Sequence, residues 1–239
     1  MTGEDTRARL RQQLAGQLER LRRDGVWGLS IPDPPRRPAD DPDVVQRDET
    51  VSDDTSLALV EEEALACVAC RLAETRTKVV FGVGNPDARL MFIGEGPGRD
   101  EDLQGEPFVG RAGQLLTRII EAMDYRREDV YIANAVKCRP PQNRDPQADE
   151  ISACRHFLIR QVELIRPEIV VLLGRSAVNA VLDLQAPLSR LRGSFRDWNG
   201  IKVMCTYHPA YLLRNPSAKG MVWEDMKLVR DTLAAAAAD

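Results

Sequence analysis

Four cysteines constrain this chain more than any other feature. They fall in two pairs: Cys67-Val-Ala-Cys70, then Cys138 and Cys154 with fifteen residues between them. Two such pairs, separated by a long stretch of alternating strand-like and helix-like pattern, can converge on one metal centre. The residues between them must then fold as a unit that brings its ends together. Cys205, beside Met204 in an apolar run, reads as core. Five cysteines in 239 residues are not a disulfide framework and point to metal or redox chemistry in a reducing cytoplasm. The four clustered thiols have three readings: a 4Fe–4S cluster, a structural zinc, or unligated core thiols. Their joint spacing argues against the last, and thiolates suit both metals. The fifteen-residue gap is unlike the two CxxC knuckles of a zinc ribbon. His156 is an alternative ligand.

Charge divides the chain. Residues 1–66 carry 9 Lys/Arg against 15 Asp/Glu, whereas residues 67–239 carry 24 against 22. The acidic balance belongs to the first segment, and the rest is mildly basic, which leaves room for a patch facing nucleic acid. No apolar run approaches the roughly 20 residues of a membrane span. The polar, charged N-terminus has no secretory pattern. Leu10, Leu14, Leu18 and Leu21 predict an amphipathic helix within residues 1–28, which either docks on its own domain or binds a protein partner. Pro32, Pro34, Pro35, Pro38 and Pro42 among Asp and Arg make residues 29–56 a linker, extended or disordered. The ordered domain is expected over residues 57–239.

Within it the pattern is α/β. Apolar runs at 89–94, 130–136 and 169–173 read as buried strands, and helical periodicity follows at 113–123 and 147–166. Ser176 is a candidate cap for the helix after the third strand. Residues 194–198 and 201–207 flank Asn199-Gly200, a hairpin turn signal. A last helix runs from about residue 219 into the alanine run at 234–238. This alternation predicts a three-layer α/β/α domain with a mainly parallel, four-stranded central sheet. Ligands of such sheets bind beyond the carboxyl ends of the strands.

Three loops at those ends carry the chemistry. Gly94-Glu95-Gly96-Pro97-Gly98 follows the first strand and is neither a P-loop nor a dinucleotide fingerprint. Its backbone amides can face an acceptor, or it is only a tight turn. Glu101 and Asp102 lie just beyond it. Phe108, between Gly105-Glu-Pro107 and Val109-Gly110, is either a stacking platform for a planar ligand or a plug in the core. Asn134, late in the second strand, offers an acceptor and a donor side by side, which suits the edge of a nucleobase, or else it satisfies loop backbone. His208, in Tyr207-His-Pro-Ala-Tyr-Leu-Leu-Arg214, can stabilise charge developing on a carbonyl, or is structural. Leu212, Leu213 and Arg214 are expected to form a protruding apolar and basic tip, or simply the first turn of a helix.

Taken in order, Cys67-x2-Cys70, GEGPG at 94–98, Glu101-Asp102, PFVG at 107–110, NAVKCRPP at 134–141, Cys154 and HPAYLLR at 208–214 resemble the family-4 uracil-DNA glycosylases. This is the iron–sulfur branch of the uracil-DNA glycosylase superfamily. The resemblance covers about residues 57–235. It implies a DNA repair enzyme that everts uracil and hydrolyses its N-glycosidic bond. Gly94, Glu95 and Gly96 would form the floor of the uracil pocket and position the water, Phe108 would stack on the base, and Asn134 would read its edge. His208 would stabilise the departing anion, and Leu212, Leu213 and Arg214 would enter the duplex. Cys67, Cys70, Cys138 and Cys154 would hold a structural 4Fe–4S cluster, with zinc the alternative. The standard uracil-DNA glycosylase places an Asp in the glycine loop to activate water. Here that position is Gly96, so Glu95 and Glu101 are the candidate bases. The expected partner is uracil-containing DNA, met by a cytoplasmic monomer. Rival readings are a non-catalytic, metal-stabilised DNA- or protein-binding module tied to replication, and a relative with a different base preference.

Overall fold

The computed structural model describes residues 56–236; the leucine-spaced helix and all but the last residue of the proline linker lie outside them. Helix α1 (Leu57–Ala66) starts at Ser56, whose hydroxyl oxygen accepts from the Leu59 amide at 3.2 Å. Two core strands follow: β2 (Leu90–Gly94), after the two-residue β1 (Val83–Gly84), and β3 (Tyr131–Asn134). Between β2 and β3 lie the short helix α2 (Arg99–Gln104) and α3 (Arg111–Ala122). Helix α4 (Ala148–Ile165) leads to β4 (Ile169–Leu173), α5 (Arg175–Leu182) and α6 (Leu188–Leu191). Strands β5 (Phe195–Trp198) and β6 (Ile201–Thr206) form the hairpin. Helices α7 (Pro209–Arg214) and α8 (Lys219–Ala236) complete the described residues.

The sheet order is β1-β3-β2-β4-β6-β5, with six strands. The four expected parallel strands form its centre, and β1 and β5 add antiparallel edges. Strand β1 escapes sequence reading because it is two residues long and ends in glycine. Asn199 and Gly200 take φ of 54° and 83°, the left-handed pair that a two-residue hairpin turn demands.

Both sheet faces are buried, which is why the central strands read as unbroken apolar runs. Met91, Ile93, Val170 and Leu172 face one layer with Val60, Phe157, Leu158 and Val178, drawn from α1, α4 and α5. Leu90, Phe92, Ile169 and Val171 face the other, with Leu116, Leu212 and Val229 from α3, α7 and α8. The three-layer expectation holds. Among the described residues no helix is long and apolar enough to cross a membrane.

The topology positions the site. Strand β2 is flanked by β3 on one side and β4 on the other, so the chain reverses direction across the sheet between β2 and β4. At such a switch point, loops leaving the carboxyl ends diverge and open a crevice.

Candidate active site and cysteine cavity

A cavity of about 770 Å3 opens at that switch point, lined by Glu95, Phe108, Asn134, Arg175, His208 and Tyr211 among others. Every parallel strand contributes from its carboxyl end. Glu95 follows β2, Asn134 ends β3, Gly174 and Arg175 follow β4, and His208 lies two residues beyond β6.

The parallel register sets Gly94 beside Asn134. A Cβ at Gly94 would stand 2.4 Å from Asn134 Oδ1 and 2.5 Å from Phe108 Cζ, so only glycine lets both side chains close over the strand end. Asn134 is 2% exposed, and its Oδ1 has no hydrogen-bond partner among the described residues. A buried, unpaired amide acceptor is costly and rare in a native fold, and here it sits on a cavity wall. A half-turn of the amide exchanges its donor for its acceptor.

Phe108 takes φ of 55°, a left-handed conformation uncommon for a non-glycine residue, at a place built to hold it. Glu101 Oε1 accepts from the amides of Val109 and Gly110 at 3.0 and 2.9 Å, while Oε2 accepts from Gly98 at 3.1 Å. Arg127 Nη2 donates to the Pro107 carbonyl at 2.7 Å. From below, a Cβ at Gly113 would lie 1.8 Å from the Phe108 carbonyl oxygen, so α3 can approach this loop only through glycine. Glu101 thus engages three backbone amides at the cavity wall, tying the glycine loop to the Phe108 loop.

The Phe108 and His208 rings lie 5.5 Å apart at 31°. His208 caps α7, and its Nδ1 accepts from the Ala210 amide at 3.1 Å. Burial, helped by the Arg214 charge, pushes its pKa down to about 4. Both facts give one species at neutral pH: an uncharged imidazole with its proton on Nε2, a fixed donor. Burial raises the Glu95 carboxyl above its ordinary range, opposed by Ser176 Oγ, which donates to Oε2 at 2.7 Å. Ser176 is therefore no helix cap. Gly174 holds that position, and Ser176 ties the β4 loop to the β2 loop across the switch point.

The expected protruding tip is not there in the form anticipated. Leu212 is 1% exposed and belongs to the core layer with Phe108, Leu115 and Leu116; Leu213 is partly buried against the same layer. Only Arg214 of the three reaches the cavity rim. The cause is helix period: in a six-residue helix that starts at Pro209, Pro209 and Leu212 point inward together.

Cys67, Cys70, Cys138 and Cys154 line a second, small cavity with Ala64, Arg76, Lys137 and Phe157. Arg71 draws the two pairs together, its guanidinium reaching Asp149 at 2.7 Å and Glu150 at 3.4 Å at the start of α4. Glu150 also accepts from Arg144 Nη2 at 2.6 Å and the Gln147 amide at 2.8 Å, which folds the segment between Cys138 and Cys154 back on itself. Among the described residues, no group of three or more His, Cys, Asp or Glu is gathered closely enough to hold a single metal ion. The donors around the thiols nonetheless suit a negatively charged group. Arg76 Nη1 lies 3.2 Å from Cys138 Sγ, and the backbone amides of Lys137 and Ala69 lie 3.3 and 3.5 Å from the Cys154 and Cys67 sulfurs. Lys137 is 1% exposed, and neither it nor Arg76 meets a carboxylate among the described residues. Lys137 Nζ donates to the Asn134 carbonyl at 3.0 Å and to Gln161 Oε1, so its charge is buried among neutral acceptors next to the thiols, where an anion held by the sulfurs would offset it. Burial lowers Lys137 to about 8 and raises the Cys154 thiol to about 11. His156 is exposed beside the Phe157 ring and does not line this cavity, and Cys205 is fully buried in the core.

Sequence reading missed the hydrogen bond from Ser176 to Glu95, the buried Lys137 and half-buried Arg76 around the thiols, and the stacked pair Tyr207–Tyr211. Lys137 adjoins Cys138 in the chain, which was a usable signal. The others depend on packing alone.

The family model for the uracil DNA glycosylase superfamily matches residues 81–227. A type-4 uracil-DNA glycosylase of Thermotoga maritima is 49% identical over 175 residues, 72% of this chain and 91% of that protein. Those of Saccharolobus solfataricus and Archaeoglobus fulgidus are 46% and 44% identical, over 74% and 73% of this chain and 87% and 92% of theirs.

Proposed function

This chain belongs to the uracil DNA glycosylase superfamily, and we propose that its switch-point cavity takes an everted uracil and hydrolyses its bond to deoxyribose. One observation carries the reading. Three chain segments distant in sequence bring an aromatic face, an unpaired amide and a fixed imidazole donor to one cavity: Phe108, Asn134 and His208.

The chemistry follows from those groups. A base in a duplex hides its glycosidic bond, so it must leave the stack first. Phe108 then covers one face of the base. The Asn134 amide pairs with its N3–H and O4, the two groups that distinguish uracil from cytosine. As the C1′–N1 bond breaks, its electron pair moves into the pyrimidine and the sugar gains oxocarbenium character. The His208 Nε2–H donates to O2, where negative charge gathers; such a preorganised donor is worth roughly 10²–10³ in rate. A water near Glu95 attacks C1′ and gives its proton to that carboxylate. The uracil leaves as an anion and takes up the proton that Glu95 releases to solvent, which gives free uracil, an abasic site and an ionised Glu95. Ser176 orients Glu95, while Glu101 and Arg127 hold the Phe108 loop. Arg99, Arg111, Arg175 and Arg214 rim the cavity and can meet phosphates.

Cys67, Cys70, Cys138 and Cys154 fit a 4Fe–4S cluster, with Lys137 and Arg76 as counter-charges; four thiols around a cavity, not closed on one ion, favour it over zinc. When bound it supplies no reaction step: it ties residues 67–76 to residues 138–154 beside the rim. Free thiols suit a reducing cytoplasm. We take the protein as a monomer acting on DNA, with residues 1–28 the candidate contact for a protein partner.

The test is release of free uracil from a uracil-containing oligonucleotide, without added divalent metal, by wild type, Asn134→Ala and His208→Ala. Release by the wild type that falls in both folded variants supports the reading. No release from cluster-loaded wild type overturns it.

A further inference from the structure

We propose that Tyr211, and not the leucines after it, stacks on the DNA base beside the everted uracil, with Tyr207 as its fixed support. The inference rests on the uracil-excision reading above. Helix α7 has two faces. Pro209 and Leu212 are buried on one, while His208, Tyr211 and Arg214, three residues apart, line the cavity on the other. Tyr211 is 38% exposed where Leu212 is 1% exposed, so the side chain this helix offers to a duplex is the aromatic one.

The ring is also held in place. Tyr211 stacks on Tyr207 with centroids 5.0 Å apart at 26°. Tyr207 is partly buried against both core layers, and the Arg192 guanidinium lies 6.0 Å from its ring centre. Arg192 is anchored by Asp225, at 2.9 Å from Nη2 to Oδ1 and 3.1 Å from Nε to Oδ2. The fully buried Asp225 also accepts from Thr206 Oγ1 at 2.6 Å, at the last residue of β6. The lower ring is thus fixed to the sheet through an ion pair, and the upper ring stands at the cavity mouth. A side chain ordered before binding loses little entropy on binding, and an aromatic face is matched by the π-face of any nucleobase. Base eversion leaves a neighbour without its stacking partner. Tyr211 replaces that partner at the point where the everted nucleotide enters the cavity, and exposed Arg214 stands one turn on, within reach of a phosphate.

The experiment uses the full, cluster-loaded chain and a duplex with 2-aminopurine next to the target uracil, in cleavable and in non-hydrolysable 2′-fluoro form. Tyr211→Phe, Tyr211→Ala and Leu212→Ala are compared with wild type. In the 2′-fluoro complex, wild type and the Phe variant should quench the aminopurine, while the Ala variant leaves it bright. On cleavable duplex, Tyr211→Ala should raise KM roughly 10- to 100-fold with a much smaller change in kcat. Phe should restore KM to within about two-fold, since the ring and not the hydroxyl is the contact. Leu212→Ala should lower Tm while keeping the quench in the folded protein. The proposal is overturned if Tyr211→Ala quenches like wild type, if Phe fails as badly as Ala, or if Leu212→Ala abolishes the quench with Tm intact. Quenching without uracil release would strike the catalytic reading and leave the stacking role standing.

Discussion

Asn134→Ala should separate stability from catalysis, because the Asn134 Oδ1 is buried without a partner among the described residues. An unpaired buried acceptor costs about 1–3 kcal/mol, and alanine removes it. The space vacated joins a cavity of about 770 Å3 rather than opening a void in a packed core. The usual penalty for a large-to-small change, which grows with the new closed volume, is therefore small. The net expectation is a folded state unchanged or stabilised by about 1–2 kcal/mol. At about 2–4 °C per kcal/mol for a domain of this size, Tm should hold or rise by roughly 2–8 °C. Uracil release should fall by about 10²–10⁴-fold in kcat/KM, since a site built to pair a polar edge loses both bonds to it. Thermal unfolding by circular dichroism and single-turnover uracil release, on protein with equal cluster content, measure the two sides. A fall in Tm of more than about 4 °C would refute the argument, because it would mean the amide is satisfied in the free protein. Retention of kcat/KM within about ten-fold would refute the pocket assignment.

The other expectations concern the supports of the site. Glu95 must be ionised to accept a proton, and burial holds its pKa above the ordinary value while Ser176 opposes that rise. Activity should therefore fall as pH drops through the Glu95 pKa, and Ser176→Ala should move this acid limb to higher pH; an unmoved limb in the pH–kcat/KM profile rejects the pairing. His208, neutral down to about pH 4, should add no inflection near 6.5 in the same profile. Lys137→Met should reduce iron content per chain and absorbance near 400 nm more than Lys137→Arg does, because the buried counter-charge is lost; equal content in both variants rejects that role. Gly113→Ala places a Cβ within 1.8 Å of the Phe108 carbonyl oxygen. It should lower stability by about 1–3 kcal/mol and uracil release by more than that loss accounts for. Denaturant unfolding and release kinetics would show it.

Much of the molecule was legible before folding was considered. The apolar runs at β2 and β4 announced buried parallel strands, and Asn199-Gly200 announced the hairpin; the four spaced cysteines line one small cavity. These signals are local: side-chain period, turn chemistry and residue type decide them within a few residues. That Asn134 and His208 stand at or just beyond strand ends was readable for the same reason. What the sequence could not say is where those side chains point. Leu212 and Tyr211 are adjacent in the chain, yet packing against α3 and β2 buries the first and leaves the second at the cavity mouth. Glu101 and Glu95 are both carboxylates beside the glycine loop, yet three backbone amides engage one and the Ser176 hydroxyl the other. Ser176 meets Glu95 only because the sheet order sets β4 beside β2, eighty-one residues apart in the chain. Residue type determines what chemistry a position can do. Burial, register and the competition for hydrogen-bond partners decide which position does it, and they exist only once distant strands have paired.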